Sequence, residues 1–68
     1  MMAGKKMIAI AKEDYEFSSN QKWKKGKRYN MVYDEIGGII ALDCDSGYVD
    51  HWSTDAFKEI SENFEFKL

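Results

Sequence analysis

Residues 24–42, which read KKGKRYNMVYDEIGGIIAL, decide the fold of this chain. Tyr29, Met31 and Tyr33 alternate with mostly polar neighbours, and this period of two predicts a half-buried β-strand over residues 28–34. The glycine pair that follows predicts a hairpin, because glycine tolerates the backbone angles of tight turns. The apolar residues after the pair predict a second strand. The segment therefore indicates an antiparallel sheet.

The same pattern of short strands and turns continues on both sides of this segment. A first strand is predicted at 6–12, and a polar loop at 13–21 follows it. A turn rich in Asp at 43–47 leads into a further strand at 48–52. Turn signals spaced roughly 8–12 residues apart are typical of a small sandwich or barrel. We therefore expect an all-β fold, a small barrel of about five strands.

The chain after this strand is expected to close the barrel. Ser53, Thr54 and Asp55 are residues that cap helices, so one short helical turn is expected near residues 53–57. Phe57 and Ile60 are then expected to be core residues of a short closing strand.

The length of the chain fits one domain, residues 1–68, whose first residues, 1–5, are expected to be flexible. The alternation in residues 62–68 suggests an additional edge strand. An exposed edge can pair with another molecule, so residues 64–68 could also join two copies into a homodimer.

The composition indicates a soluble protein. Cys44 is the only cysteine and cannot form an internal disulfide, which favours a reducing compartment. The apolar run near the N-terminus breaks at Lys12, too early for a signal peptide or a membrane span. We therefore expect a cytoplasmic protein that does not associate with membranes.

The charges are distributed unevenly along the chain. Residues 1–33 contain eight basic and three acidic side chains, or +5, whereas residues 34–68 contain two basic and nine acidic ones, or −7. This asymmetry can steer encounters with a charged partner, or the two halves can interleave in a sheet and neutralise each other.

Half of the positive charge lies in residues 22–28, the segment that we call the basic turn. It could contact an acidic patch on a protein. It could alternatively bind single-stranded nucleic acid, with cations on the phosphates and an aromatic ring on a base. The sequence pI of about 5.3 and the acidic second half favour a protein partner. The candidate binding residues of the turn are Lys22, Trp23, Lys24, Lys25, Lys27 and Arg28.

Tyr15 and Trp52 complete the predicted binding surface. Tryptophan is rarely fully buried, and exposed tryptophans often anchor protein interfaces. We therefore expect Trp23 and Trp52 to remain partly exposed as anchors, or else to cover the rim of a thin core.

Neither catalysis nor metal binding is expected. Cys44 and His51 could pair as nucleophile and base, but a third orienting group and an oxyanion hole are not evident. One Cys and one His do not make a zinc site, and an Asp-rich turn explains residues 43–47 more simply than a calcium loop. We therefore predict no enzymatic activity and no cofactor.

Residues 11–17, AKEDYEF, resemble the Ala-Leu-Tyr-Asp-Tyr opening of Src-homology-3 domains. The Lys-Gly turn and the alternating strand after it fit the next hairpin of that fold. Glu13 stands in place of the first groove tyrosine, and Gly47-Tyr48-Val49-Asp50 stands where Gly-x-x-Pro is usual. The resemblance therefore implies a Src-homology-3-like barrel rather than a proline-binding groove.

Three short motifs are similar to a pattern in very small phage and prophage proteins of Gram-positive hosts. They are Lys25-Gly26-Lys27-x-Tyr29, Asp45-Ser46-Gly47 and Phe57-Lys58-Glu59-Ile60. This second resemblance implies a minimal Src-homology-3-like barrel and a phage setting, and it carries over no functional residues. The expected function is that of an accessory protein that binds a host or defence protein in the host cytoplasm.

Overall fold

The computed structural model describes residues 4–68, which form seven strands and one short helix. The elements in chain order are β1 (Gly4–Ala11), β2 (Tyr15–Ser18), β3 (Gln21–Trp23), β4 (Arg28–Asp34), β5 (Ile39–Asp43), β6 (Val49–Ser53), α1 (Thr54–Ser61) and β7 (Phe64–Lys67). The prediction of a mostly β fold is confirmed, and β4 has the bounds that its alternation predicted. Residues 1–3, part of the segment expected to be flexible, lie outside the described residues, whereas Gly4 and Lys5 begin β1.

The strands form two sheets. A five-stranded antiparallel sheet has the order β6-β5-β4-β1-β7, and β2 pairs with β3 in a separate hairpin. The ladder of the larger sheet is not closed within residues 4–68, because β6 and β7 are its two edges and do not pair with each other. The structure is thus a five-stranded sheet packed against a hairpin and a helix, without the closed hydrogen-bonding of the predicted barrel.

The core lies between the inner face of the large sheet, the hairpin and the helix. Ala9 is fully buried on β1, opposite Tyr29 of β4 and Phe66 of β7. Small side chains on the inner face of β1 leave room for large rings, and the indole of Trp23 fills part of that room against the Phe64 ring. The hairpin thereby contributes a large buried side chain, Trp23, where the side chains of β1 are small.

The helix is longer than predicted. Ser53 caps α1 at its N-terminus, where its Oγ accepts a hydrogen bond of 3.2 Å from the Ala56 N–H. Phe57 and Ile60 are both buried on this helix, so their predicted place in a closing strand is wrong. Residues three apart share one face of a helix but point to opposite faces of a strand, and only the helix buries both. The last strand is β7.

The helix α1 has eight residues, and no helix among residues 4–68 has the length and apolar character needed to cross a membrane.

Candidate binding surface at the basic turn

The basic turn is tightly held by backbone hydrogen bonds. The Lys27 N–H donates to the Lys24 carbonyl at 3.1 Å, and the Gly26 N–H donates to the Ala11 carbonyl at 2.8 Å. Gly26 has a φ of +79°, a conformation that other residues rarely adopt. The Lys25 N–H also donates to Asp14 Oδ1 at 2.8 Å. The turn is therefore a braced connection between β3 and β4 rather than a loose loop.

Trp23 is a core residue, and the expectation that it forms an exposed anchor is wrong. Its side chain is 1% exposed, and its Nε1 donates a hydrogen bond of 2.8 Å to the Asp43 carbonyl. The ring stacks on Tyr15 at a centroid distance of 5.7 Å and meets Phe64 edge-on at 5.5 Å. Because β3 packs against the large sheet, the inward side chain of Trp23 completes the core. The neighbouring Lys22 and Lys24 side chains remain exposed to solvent.

Tyr29 links the turn to the loop between β5 and β6. Its hydroxyl accepts a hydrogen bond from the Lys24 N–H at 2.7 Å and donates one to Asp45 Oδ1 at 2.8 Å. Lys27 Nζ contacts the same carboxylate oxygen at 2.7 Å. Burial, with a smaller effect of Asp45, raises the pKa of Tyr29 to about 12, whereas the hydrogen bonds from Lys27 and Tyr29 lower the pKa of Asp45. The phenol is therefore neutral and Asp45 ionised at physiological pH.

The cations of the turn divide into two groups. Lys22 lies 3.9 Å from Glu16, and Lys27 pairs with Asp45, so two of the five charges are partly offset. Lys24, Lys25 and Arg28 are exposed and form no ion pair with any residue between 4 and 68. These three side chains, which we call the free cation group, are what the turn can offer to an anionic partner.

A shallow depression of about 260 Å³ lies next to the turn. It contains two cations and three carboxylates, so its surface is not a phosphate-binding pocket of uniform charge. Its lining residues are Asp14, Tyr15, Glu16, Lys22, Trp23, Lys24 and Asp45. A larger depression of about 520 Å³ crosses β1 and β4, lined by Lys6, Met7, Ile8, Asn30, Met31, Val32 and Leu68, and no residue of the basic turn takes part in it.

Trp52 does not join this surface. It lies on the edge strand β6, is 7% exposed, and packs edge-on against Phe17 at 5.0 Å. Its expected role as an exposed anchor is also wrong, because alternation directs Trp52 to the inner face of the sheet. The exposed aromatic side chains are instead Phe17, at 51%, and Tyr48, at 60%. Both residues are adjacent in sequence to polar turns, at 18–20 and 45–47, and this position is a sequence signal that favours their exposure.

The residues considered for catalysis are not arranged as a reactive pair. Cys44 is buried, and its Sγ lies 3.3 Å from the Asn20 carbonyl oxygen and 3.2 Å from that of Tyr48. His51 is exposed on the outer face of β6 and makes no hydrogen bond to Cys44. Among residues 4–68 there is also no group of three or more His, Cys, Asp and Glu side chains able to hold a metal ion.

Comparisons with protein-family models, curated proteins and solved structures gave no match for this chain.

Proposed function

We propose that this protein is a non-enzymatic binding module that contacts another protein through its basic turn. In this proposal it is an accessory protein of phage or prophage origin, acting on a host or defence protein in the host cytoplasm. The observation that carries the proposal is the free cation group, Lys24, Lys25 and Arg28, held on a braced turn. Positive charges held in fixed positions attract an acidic partner protein during diffusion. They also favour one orientation of that partner, the one in which its negative charges face the cations.

A protein partner is favoured over nucleic acid by the burial of the aromatic rings. Trp23 and Tyr29, at 1% and 4% exposure, direct their rings into the core beneath the turn. Binding of single strands usually combines cations with exposed aromatic platforms, on which the bases stack. Tyr15, which is half-buried and stacked on Trp23, is the remaining ring beside the turn.

We also propose that the fold is a variant of the Src-homology-3-like barrel. Three features support this assignment: the strand order β6-β5-β4-β1-β7, the β2-β3 hairpin that lies between β1 and β4 in sequence, and the helix before β7. Such a barrel leaves little interior space for an enzymatic pocket, which is consistent with a binding role.

The proposal is tested by reversing the free cation group. Tagged wild-type protein and the triple variant Lys24→Glu, Lys25→Glu, Arg28→Glu are incubated with bacterial lysate at near-physiological salt, and captured proteins are quantified by mass spectrometry. A control triple variant, Lys6→Glu, Lys58→Glu, Lys67→Glu, changes net charge equally at exposed sites outside the turn. We expect one protein to be captured by the wild type and the control but not by the turn variant. Failure of the wild type to enrich any protein would refute the proposal.

Single-stranded nucleic acid is the alternative partner, since the same three cations could contact phosphates. A gel-shift series with labelled single-stranded DNA and RNA between about 50 and 200 mM salt distinguishes the two, because phosphate contacts weaken steeply over that range. Binding that depends on salt and is lost in the turn variant would favour this alternative.

A further inference from the structure

We propose that the edge strand β6 accepts an extended, basic segment of a partner protein as an added strand. This inference rests on the proposed function, because it requires a protein partner, and it adds a second contact surface to the basic turn. Within residues 4–68, β6 pairs only with β5. No backbone hydrogen bond joins residues 49–53 to the hairpin that packs nearby. The free edge therefore has unused backbone donors and acceptors, which is the template for strand addition.

Two buried polar atoms on β6 lack partners within the described chain. Asp50 Oδ2 and Trp52 Nε1 are buried and form no hydrogen bond with any residue between 4 and 68. Each residue is 7% exposed, and both point to the inner face of the sheet. Buried polar groups without partners are uncommon in folded proteins and cost free energy. One atom can only accept and the other can only donate, so a ligand that satisfies both must offer a donor and an acceptor.

The spacing of these atoms fits an added strand. Asp50 and Trp52 are two residues apart, which is the repeat of side chains on one face of any strand. A strand paired with β6 would place one side chain opposite Asp50 and the next inward side chain opposite Trp52. Lysine or arginine suits the first position and an oxygen-bearing side chain, such as threonine, suits the second.

The charge around this edge favours a basic partner segment. From residue 39 to residue 57 the chain contains four aspartates and no lysine or arginine. Asp45 is offset by Lys27, whereas Asp50 has no ion pair with a described residue. A lysine opposite Asp50 would supply the missing charge and a hydrogen-bond donor together.

Exposed aromatic side chains flank the same stretch. Tyr48 immediately precedes β6, and Phe17 contacts the Trp52 ring edge-on. Aromatic residues are enriched in the anchoring part of protein interfaces. Because Asp50 Oδ2 and Trp52 Nε1 are closed to water, we expect docking to turn the Phe17 ring away from Trp52.

The test uses two synthetic peptides that differ at one residue, whose charge is reversed. The first, acetyl-Thr-Val-Lys-Val-Thr-Val-amide, places lysine and threonine on one face, and the second replaces the lysine by glutamate. Each is titrated into ¹⁵N-labelled full-length protein while amide and indole resonances are followed. We expect the lysine peptide to shift the amides of residues 48–53 and the indole N–H of Trp52. The glutamate peptide should cause no such shifts.

Three variants locate the contact. Asp50→Asn removes the charge and Trp52→Phe removes the donor, and each should weaken binding of the lysine peptide by about tenfold, the scale of one charged or neutral hydrogen bond. His51→Ala, on the opposite face of the same strand, should leave the affinity unchanged. Spectra of the variants without peptide establish whether each is folded. If Trp52→Phe is not folded, Asp50→Asn alone tests the contact.

The inference is overturned if neither peptide shifts residues 48–53, if both bind equally, or if Asp50→Asn binds like the wild type. These outcomes are separable from failure of the proposed function. A partner captured through the free cation group, and retained by Asp50→Asn, would leave the function standing while removing β6 from the interface.

Discussion

The Tyr29 hydroxyl donates a hydrogen bond of 2.8 Å to Asp45 Oδ1, and this bond ties the start of β4 to the loop between β5 and β6. The same hydroxyl accepts from the backbone of Lys24, so one buried phenol fixes two loops at once. The free cation group therefore projects from a turn whose position depends on a core residue.

The raised pKa of Tyr29 predicts a loss of stability at high pH. Its folded-state value of about 12 exceeds the ordinary value of 10.0, so its contribution is complete below pH 10.0 and is lost as pH rises through about 12. Urea unfolding of wild type and Tyr29→Phe at increasing pH isolates this effect from lysine titration. Tyr29→Phe should be less stable than the wild type near neutral pH, and its unfolding free energy should fall less as the pH is raised. Parallel plots of unfolding free energy against pH would contradict the prediction.

Asp45 predicts the opposite behaviour in acid. Its pKa lies below the ordinary value of 3.8, mainly because Lys27 and Tyr29 donate hydrogen bonds to the ionised form. Its contribution is therefore present above pH 3.8 and is lost as pH falls through the lower folded-state value. Asp45→Asn should be less stable than the wild type near neutral pH, and the difference should shrink in acid. Urea midpoints measured across that range check this, with Asp43→Asn as a neighbouring control.

The two tryptophans should respond differently to the same substitution. Trp23→Phe removes a satisfied hydrogen bond and leaves a cavity at the centre of the core, so we expect a loss of about 2–4 kcal/mol. Trp52→Phe also removes buried ring volume, but the donor it removes is unpartnered, so the loss should be smaller than at Trp23. Chemical unfolding followed by far-ultraviolet circular dichroism compares the two without depending on indole fluorescence. Equal losses would mean that Trp52 Nε1 has a partner in solution.

Gly26 should tolerate few substitutions although there is space around it. Apart from Gly26 and its two chain neighbours, no atom of residues 4–68 lies within 4 Å of the position that a β carbon would occupy, so crowding is not the obstacle. The φ of +79° is the obstacle, and Gly26→Ala should cost about 1–2 kcal/mol. Gly26→Asn should cost less, because asparagine adopts this conformation more readily. Thermal unfolding of both variants tests the order, and a reversal would point to a contact of the side chain instead.

The sequence predicted β1, β4, β5 and β6 better than it predicted which rings are buried, whereas the polar loop predicted at 13–21 is wrong, because it contains β2 and the start of β3. The alternation of Tyr29 and Met31 with polar neighbours defined β4, because a half-buried strand carries its burial pattern in its own residues. The lysines around Trp23 predict a solvated turn, yet a single apolar residue between Lys22 and Lys24 is also the alternation of a short strand. Three residues are too few for a periodic signal, and only the position of the hairpin over the sheet determines that Trp23 is buried.

The helix illustrates a second limit. Phe57 and Ile60 are spaced for a helix, and Ser53 is a good N-cap, but two apolar residues are too few to establish a helical period when no longer pattern surrounds them. The unpartnered atoms of Asp50 and Trp52 could not be inferred from the sequence at all, since the absence of a hydrogen bond depends on every neighbouring side chain. The part of the proposed surface that could be predicted is the positive charge of the turn.

The pairing of β1 with β7 has a consequence for the synthesis of this protein. Ile8, near the beginning of the chain, lies opposite Lys67, near the end of the described residues. β1 therefore cannot complete its pairing with β7, its second neighbour, until residues 64–67 have left the ribosome. Contacts between residues so distant in sequence slow folding, because the intervening chain must be closed into a loop first. While it is being translated, the nascent domain therefore exposes one side of β1, and it completes its sheet only after the other strands have been made.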